Sequence, residues 1–361
     1  MRFLHPELRG SPPRRLCPAA ILLAVLLLPG LQGCRQNEDF LVQGTTMGTV
    51  FVVRATGAPA GACSKLKADI DRRLEEINAL LSVYLPDSEL SRFNALTETG
   101  LPFTVSRDFQ NVLGASIHVH ELTRGAFDPT VKPLLDLWGF GPVRDYSRPW
   151  QPPDLKDVQQ ILQAVGLDRI DFSSSEQLRK TDLRVQLDFG AVAKGYAVDQ
   201  LAELLRLKGI DNFLVDIGGD LLASGNNRDG QAWRVGLNRP APDAAWDDVL
   251  MVLHPRDTAV VTSGDYRKFF IHAGHTYSHV LDPRTGQPTQ NNVASVTVTA
   301  QTAAFADALA TGLMVLGMPQ GMELVEELPE VEALFLLRNT DGTFVSQMSS
   351  GFAVAAGLET P

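Results

Sequence analysis

Strand-like and helix-like runs follow one another in this 361-residue chain without regular βα alternation, and that order limits its folds more than any other feature. A doubly wound parallel sheet needs a helical crossover between successive strands. Here Trp233 to Leu237, Asp248 to His254 and Ala259 to Thr262 read as strands with no helical pattern between them. The order predicts an α+β fold.

Phe40 to Arg54 alternates around Gly44 and Gly48, a strand entering a tight turn and leaving as a strand. Leu66, Ile70, Leu74, Ile77 and Leu81 mark an amphipathic helix over 64–81. Ser106 caps a second helix, with Val112, Ala115, Val119 and Leu122 inward and Gly125 as its stop. Prolines make 141–153 a loop, after which Asp154 caps a helix to about Val165. Val185 to Asp188 reads as a strand running into a helix from Val192 to Leu207. Phe213 to Ile217 is a buried strand ending in Gly218-Gly219-Asp220. Val293 to Thr299 is a strand, Phe305 to Leu316 a helix stopped by Gly317, and Glu332 to Arg338 with Thr343 to Gln347 a closing hairpin.

Arg2, Arg9, Arg14 and Arg15 precede an apolar run, Ala19 to Leu28, too short to cross a bilayer comfortably but suited to a signal-peptide core. The run ends in Leu31-Gln32-Gly33-Cys34, which resembles a bacterial lipobox, although Gln32 stands where a small residue is usual. Cleavage before Cys34 makes 1–33 a lipoprotein-type signal peptide and 34–39 a lipidated tether. An ordinary secretory signal or an uncleaved anchor is the other reading. The formal net charge is −10, and removal of the Arg-bearing leader makes it more negative, which argues against a nucleic-acid partner. With Cys17 in the leader and Cys34 at the lipid site, Cys63 alone remains, enough for neither an internal disulfide nor a cysteine metal cluster.

Two neighbouring motifs carry chemistry. Tyr277-Ser278-His279-Val280-Leu281-Asp282-Pro283 sets an imidazole beside a carboxylate in a turn, making His279 a candidate base or simply an exposed turn histidine. Ala306-Asp307-Ala308-Leu309-Ala310-Thr311-Gly312 places a carboxylate and a hydroxyl on one helical face. Such hard oxygen donors suit Mg²⁺; the bland alternative is a helix-start Asp with Thr as filler. Asp188 to Tyr196 lies at a strand–helix junction, where backbone N–H groups and Lys194 suit a phosphate, or a tight turn with a solvated Lys. It lacks the Gly-Lys-Ser/Thr of a Walker A loop. In Gly125-Ala126-Phe127-Asp128-Pro129, Phe127 suits an aromatic ring and Asp128 a polar edge, or an ordinary turn. His118 and His120, two apart on a helix, point away from each other and make a poor metal pair.

Taken together these segments resemble the ApbE family, the FAD:protein FMN transferases. The likeness runs from about Gly44 to Gly317 through Thr46-Met47-Gly48-Thr49, Ser82 to Tyr84, Ser88 to Asn94, Gly125 to Pro133, Leu137 to Gly141, Asp188 to Asp199, Asp216 to Asp220, Thr262 to Tyr266 and the two motifs above. The resemblance implies one ApbE-like domain over 40–361, with mixed, largely antiparallel sheets flanked by helices. It implies cleavage of FAD, transfer of FMN to a Thr or Ser hydroxyl of an acceptor flavoprotein, and release of AMP. Acceptors in such a family carry a segment like Asp-x-x-Thr/Ser-Gly-Ala-Thr/Ser and are flavin subunits of membrane electron-transfer complexes. By matching position, Met47, Tyr84, Ala126, Phe127, Asp128, Asp188, Lys194 and Leu281 contact FAD. Asp307, Thr311 and the carbonyl of Ala191 hold Mg²⁺, and His279 deprotonates the acceptor hydroxyl. The family's habit of envelope lipoproteins agrees with Cys34 and a lipid-anchored, periplasm-facing site in a bacterial cell envelope. Two other classes use the same residues: a Mg²⁺-dependent FAD pyrophosphatase and a non-catalytic flavin-binding protein. Tyr84, where hydrolytic relatives look to carry Asn, favours transfer.

Overall fold

The computed structural model describes residues 38–142, 149–174, 176–241 and 248–358. The expected signal peptide, Cys34 and residues 35–37 of the tether lie outside these. Strands β1 (Glu38–Thr46), β2 (Thr49–Ala58), β3 (Phe213–Ile217), β4 (Asp220–Ser224), β5 (Thr258–Gly264), β6 (Val293–Ala300), β7 (Glu332–Arg338) and β8 (Phe344–Met348) form one 8-stranded sheet. Spatial order follows chain order, and every neighbouring pair is antiparallel. The expected strand–turn–strand is β1–β2, with Gly44 inside β1. Its two-residue turn is Met47-Gly48, with φ of 48° and 73°, the positive pair that suits a twisted hairpin.

Period-two alternation sorts the sheet's side chains between two cores. Val215, Ile217, Ala259, Val261, Ala333 and Phe335 join the large core. Val260, Leu334 and Leu336 join a smaller one on the opposite face, closed by Leu237, Leu253 and Phe352. Four long helices, α1 (Leu66–Leu81), α2 (Arg107–Leu122), α3 (Ala193–Leu207) and α4 (Ala303–Leu316), build the large core. Of these, α3 and α4 lie on the sheet, α1 packs on α3, and α2 packs on α4. The five periodic residues of α1 are all buried. The Ser106 hydroxyl accepts the Phe109 N–H at 3.3 Å, as its N-cap position predicts. Helix α4 is apolar on nearly all sides, yet holds Asp307, 2% exposed.

The sequence reading needs three corrections. Val185 to Asp188 is not a strand; Gln186 makes only an isolated parallel bridge to Val131. Its neighbour Leu187 is gripped instead by the Asn94 side chain, which accepts the Leu187 N–H at 2.7 Å and donates to its carbonyl at 2.8 Å. That amide, with the Pro129 carbonyl accepting the Asp188 N–H at 2.8 Å, takes the place of a neighbouring strand. The helix after Asp154 runs Leu155–Leu162, and the Asp154 side chain makes no capping bond; its carbonyl accepts the Val158 N–H instead. Strand β4 follows directly on Gly218-Gly219; with all five residues buried, it has no alternation to betray it.

Candidate active site

A close helix crossing creates the site. A Cβ on Gly195 would stand 2.1 Å from the Ala303 carbonyl oxygen, so only glycine lets the start of α3 meet the start of α4. Asp199 secures the crossing, its carboxylate accepting the Ala303 and Ala304 N–H groups at 2.8 and 2.9 Å, otherwise orphan donors at a helix start. Burial pushes Asp199 up to about 6.

The crossing brings Asp307 onto the first turn of α3. Gly195 N–H donates to Asp307 Oδ2 at 3.2 Å, and Lys194 Nζ lies 3.2 and 3.3 Å from the two Asp307 oxygens. Lys194 also donates to Asp220, delivered by the Gly218-Gly219 turn. Burial works to lower the Lys194 pKa, but the two carboxylates outweigh it and hold it above the usual lysine value. Asp220 is pushed up to about 7 by burial and by the Asp307 charge, with Lys194 pulling the other way. One helical turn beyond Asp307, Thr311 Oγ1 lies 3.0 Å from Ser263 Oγ of β5. Ala191 sits three residues before Lys194, at the mouth of α3.

These donors fit Mg²⁺ better than a softer metal: a carboxylate, a hydroxyl and a backbone carbonyl are all hard oxygens. No group of three or more His, Cys, Asp or Glu suited to a metal occurs among the described residues. His118 and His120 take different partners: His118 packs tilted against Phe305, while His120 Nδ1 lies 3.0 Å from the Phe127 carbonyl and 3.4 Å from Asp128.

His279 follows a separate hairpin, Phe269–His272 with His275–Ser278. The Lys268 carbonyl accepts the His279 backbone N–H at 3.1 Å and lies 3.1 Å from Nδ1. A carbonyl only accepts, so Nδ1 carries the ring hydrogen and Nε2 the free lone pair. Burial and then the Lys268 charge lower His279 to about 4, with a smaller push from Lys194. The imidazole is therefore neutral at pH 7. The segment before it is pinned by Asp265, which takes two bonds from Arg338 at 2.8 and 2.9 Å.

The Met47 turn shares a sheet edge with Gly218, whose Cβ would meet Thr49, and the Asn78 amide donates to Thr46 at 2.9 Å. Tyr84 stands exposed beyond α1. Ala126, Phe127 and Asp128 are buried; Phe127 packs near Gly312, next to Thr311. Asp128 accepts the Thr130 N–H at 2.7 Å, and burial raises its pKa. Asp188 accepts the Gly190 N–H at 2.7 Å and is likewise raised by burial. The Leu281 side chain is spent in a satellite core with Leu134, Trp138 and Val158. Sequence reasoning missed Asp220, Ser263 and Asp199 as partners. All three lay inside the quoted motifs, and only long-range pairing gives them roles.

The ApbE family model matches residues 47–335. The chain belongs to the ApbE family. Among similar ApbE proteins, the FAD:protein FMN transferase of Vibrio cholerae is 40% identical over 334 residues, covering 92% of this chain and 97% of that one. The FAD:protein FMN transferase of Haemophilus influenzae is 36% identical, covering 92% and 96%. The solved flavin transferase ApbE from Vibrio cholerae superposes with a TM-score of 0.79 at 39% identity, over 88% of this chain and 99% of that one. The α+β architecture is thus that of solved ApbE structures.

Proposed function

We propose that this ApbE protein is an FAD:protein FMN transferase: it moves FMN from FAD to a Thr or Ser hydroxyl of an acceptor flavoprotein and releases AMP. The observation that carries this reading is the Lys194–Asp307–Thr311 cluster at a glycine-tight helix crossing, within electrostatic range of a neutral His279. His279 Nε2 takes the acceptor hydroxyl's proton. That oxygen bonds to the FMN phosphorus, the pyrophosphate P–O bond breaks, and AMP leaves with the bridging oxygen. Lys194 balances phosphate charge as it forms on the leaving group. Mg²⁺, held by Asp307, Thr311 and the Ala191 carbonyl, supplies charge neutralisation when bound. Met47, Tyr84, Ala126, Phe127, Asp128 and Asp188 orient FAD, and Leu281, its side chain buried, contributes through its backbone.

The basic flank, apolar run and Cys34 spacing support a lipid-anchored protein facing the periplasm. A flavin subunit of a membrane electron-transfer complex is then a partner within reach. Intact-mass analysis of an acceptor domain bearing the Asp-x-x-Thr-Gly-Ala-Thr segment, incubated with FAD, Mg²⁺ and the full chain, tests the reading. A gain of one FMN less one water is expected; an unmodified acceptor contradicts it.

A further inference from the structure

The Ser88–Asn94 segment is one of the motifs of the sequence, yet the proposed chemistry uses none of its side chains. It forms a short helix, Glu89–Asn94, and each end holds a different piece of the site. At its start, the Ser88 and Ser91 hydroxyls donate to the Ser82 carbonyl at 2.6 and 3.3 Å, and the Ser82 hydroxyl accepts the Tyr84 N–H at 3.1 Å. At its end, the Asn94 amide bonds both the N–H and the carbonyl of Leu187, next to Asp188. The Asp188 segment is otherwise tied by the Pro129 carbonyl and by Phe189, whose ring packs edge-on against Phe109 at 5.1 Å. Asn94 is itself held fast. It is 8% exposed, its carbonyl accepts from the fully buried Lys180 at 2.9 Å, and the Lys180 ammonium lies 5.2 Å from the Phe93 ring.

We propose that this helix is a bracket that sets the Tyr84 turn against the Asp188–Ala191 loop, with Asn94 as its positioning residue. The inference rests on the FAD and Mg²⁺ reading of that loop. Leu187 is buried, so its N–H and carbonyl must find partners inside the protein. A planar amide offers one donor and one acceptor, the pair that a neighbouring strand would present. Both bonds close together at one placement of the loop. They fix Asp188 beside Leu187 and, through the Gly190 N–H that Asp188 accepts, the approach to the Ala191 carbonyl. Asn94 thus acts through the loop and does not itself touch FAD or metal. His279 follows a different hairpin and keeps its place without it.

The test uses the full chain and two binding readouts separate from turnover: the Kd for FAD from flavin fluorescence without Mg²⁺, and the Kd for Mg²⁺ by isothermal titration without FAD. Asn94→Ala should raise each at least about tenfold, the scale on which a group supporting a ligand acts, and amide exchange at Leu187 should accelerate. Asn94→Asp keeps an acceptor for the Leu187 N–H and loses the donor to its carbonyl. The nearby Lys180 ammonium offsets the new charge, so this variant should fold and raise both constants by a smaller factor. Ser349→Ala is the control: it removes a buried bond of the same kind, to the Ala333 N–H at 2.9 Å, and should leave both affinities alone even if stability falls. An Asn94→Ala chain that is less stable but binds FAD and Mg²⁺ as the wild type does overturns the bracket. Should that variant fail to fold, wild-type affinities in Asn94→Asp overturn it equally. Weakening of the same size in Ser349→Ala also overturns it, as a general effect of lost stability. A wild-type chain that binds neither FAD nor Mg²⁺ overturns the reading of the loop and the bracket with it. Binding precedes transfer, so these affinities decide the bracket whether or not an acceptor is labelled, which is the separate test of the transferase reading.

Discussion

His279 is neutral at physiological pH because burial and the Lys268 ammonium both penalise its charged form. A lowered histidine pKa means that the imidazole keeps its base form down to acidic pH and loses it only near the lowered value. An NMR titration of its ring, assigned with His279→Gln, should give a midpoint near 4; a midpoint at 6.5 or above contradicts the geometry. His279→Ala should slow transfer by about 10² to 10⁴-fold while FAD affinity stays within about twofold, as expected when a proton acceptor is removed without touching the flavin. Asp307 is different in kind. It is buried, and it is the carboxylate in the oxygen set suited to Mg²⁺. Asp307→Asn should abolish Mg²⁺-dependent AMP release, and isothermal titration should show the metal affinity lost with it. Activity restored at saturating Mg²⁺ would remove Asp307 from the metal shell.

The α3–α4 crossing sets where those side chains stand. Gly195→Ala would drive a methyl into the Ala303 backbone, which cannot swing aside as a side chain can. A loss of about 1–3 kcal/mol in urea unfolding is expected, typical of overpacking, together with a fall in transfer. A second element-level effect lies behind the Asp188 turn. Buried Lys180 donates to the Asn94 carbonyl at 2.9 Å, and Asn94 grips Leu187. Burial lowers Lys180 to about 8, so between pH 8 and the unfolded value near 10.5 the unfolded chain binds the extra proton. Stability should therefore rise with pH across that window relative to Lys180→Met, and urea midpoints at pH 7.5 and 9.5 check it. These elements also show what a sequence can reveal. Helix α1 is legible because Leu66, Ile70, Leu74, Ile77 and Leu81 fall at helical spacing, and the β1–β2 turn because Gly48 breaks the strand pattern on either side of it. Val185 to Asp188 misleads, since its pattern suits a strand while its partners are the Asn94 amide and the backbone of the 129–131 turn. Strand β4 hides because both its faces are buried. Asp307 and Thr311 were readable as a pair from their spacing, whereas the Lys194–Asp307 contact joins residues 113 apart and appears only in the fold.

Chain order and spatial order coincide across the whole sheet; the insertion between Ala58 and Phe213 leaves and returns at one edge, and the insertion between Gly264 and Val293 leaves and returns at the opposite edge. That edge collects the Met47 turn, the Gly218-Gly219 turn and the end of β5 with Ser263. Helix α4 then brings Asp307 and Thr311 to it from above, and the hairpin before His279 rises beside it. The antiparallel meander is a scaffold that gathers separate motifs at the proposed flavin-transfer site, which accounts for their scatter over more than two hundred residues of sequence. The most direct measurement is the ratio of AMP released to flavin covalently bound, for the full chain with FAD and Mg²⁺, with and without an acceptor domain. Transfer predicts one AMP for each flavin fixed on the acceptor and little AMP in its absence. Equal AMP with and without acceptor, and no flavin on the protein, would contradict transfer and make the same site an FAD pyrophosphatase.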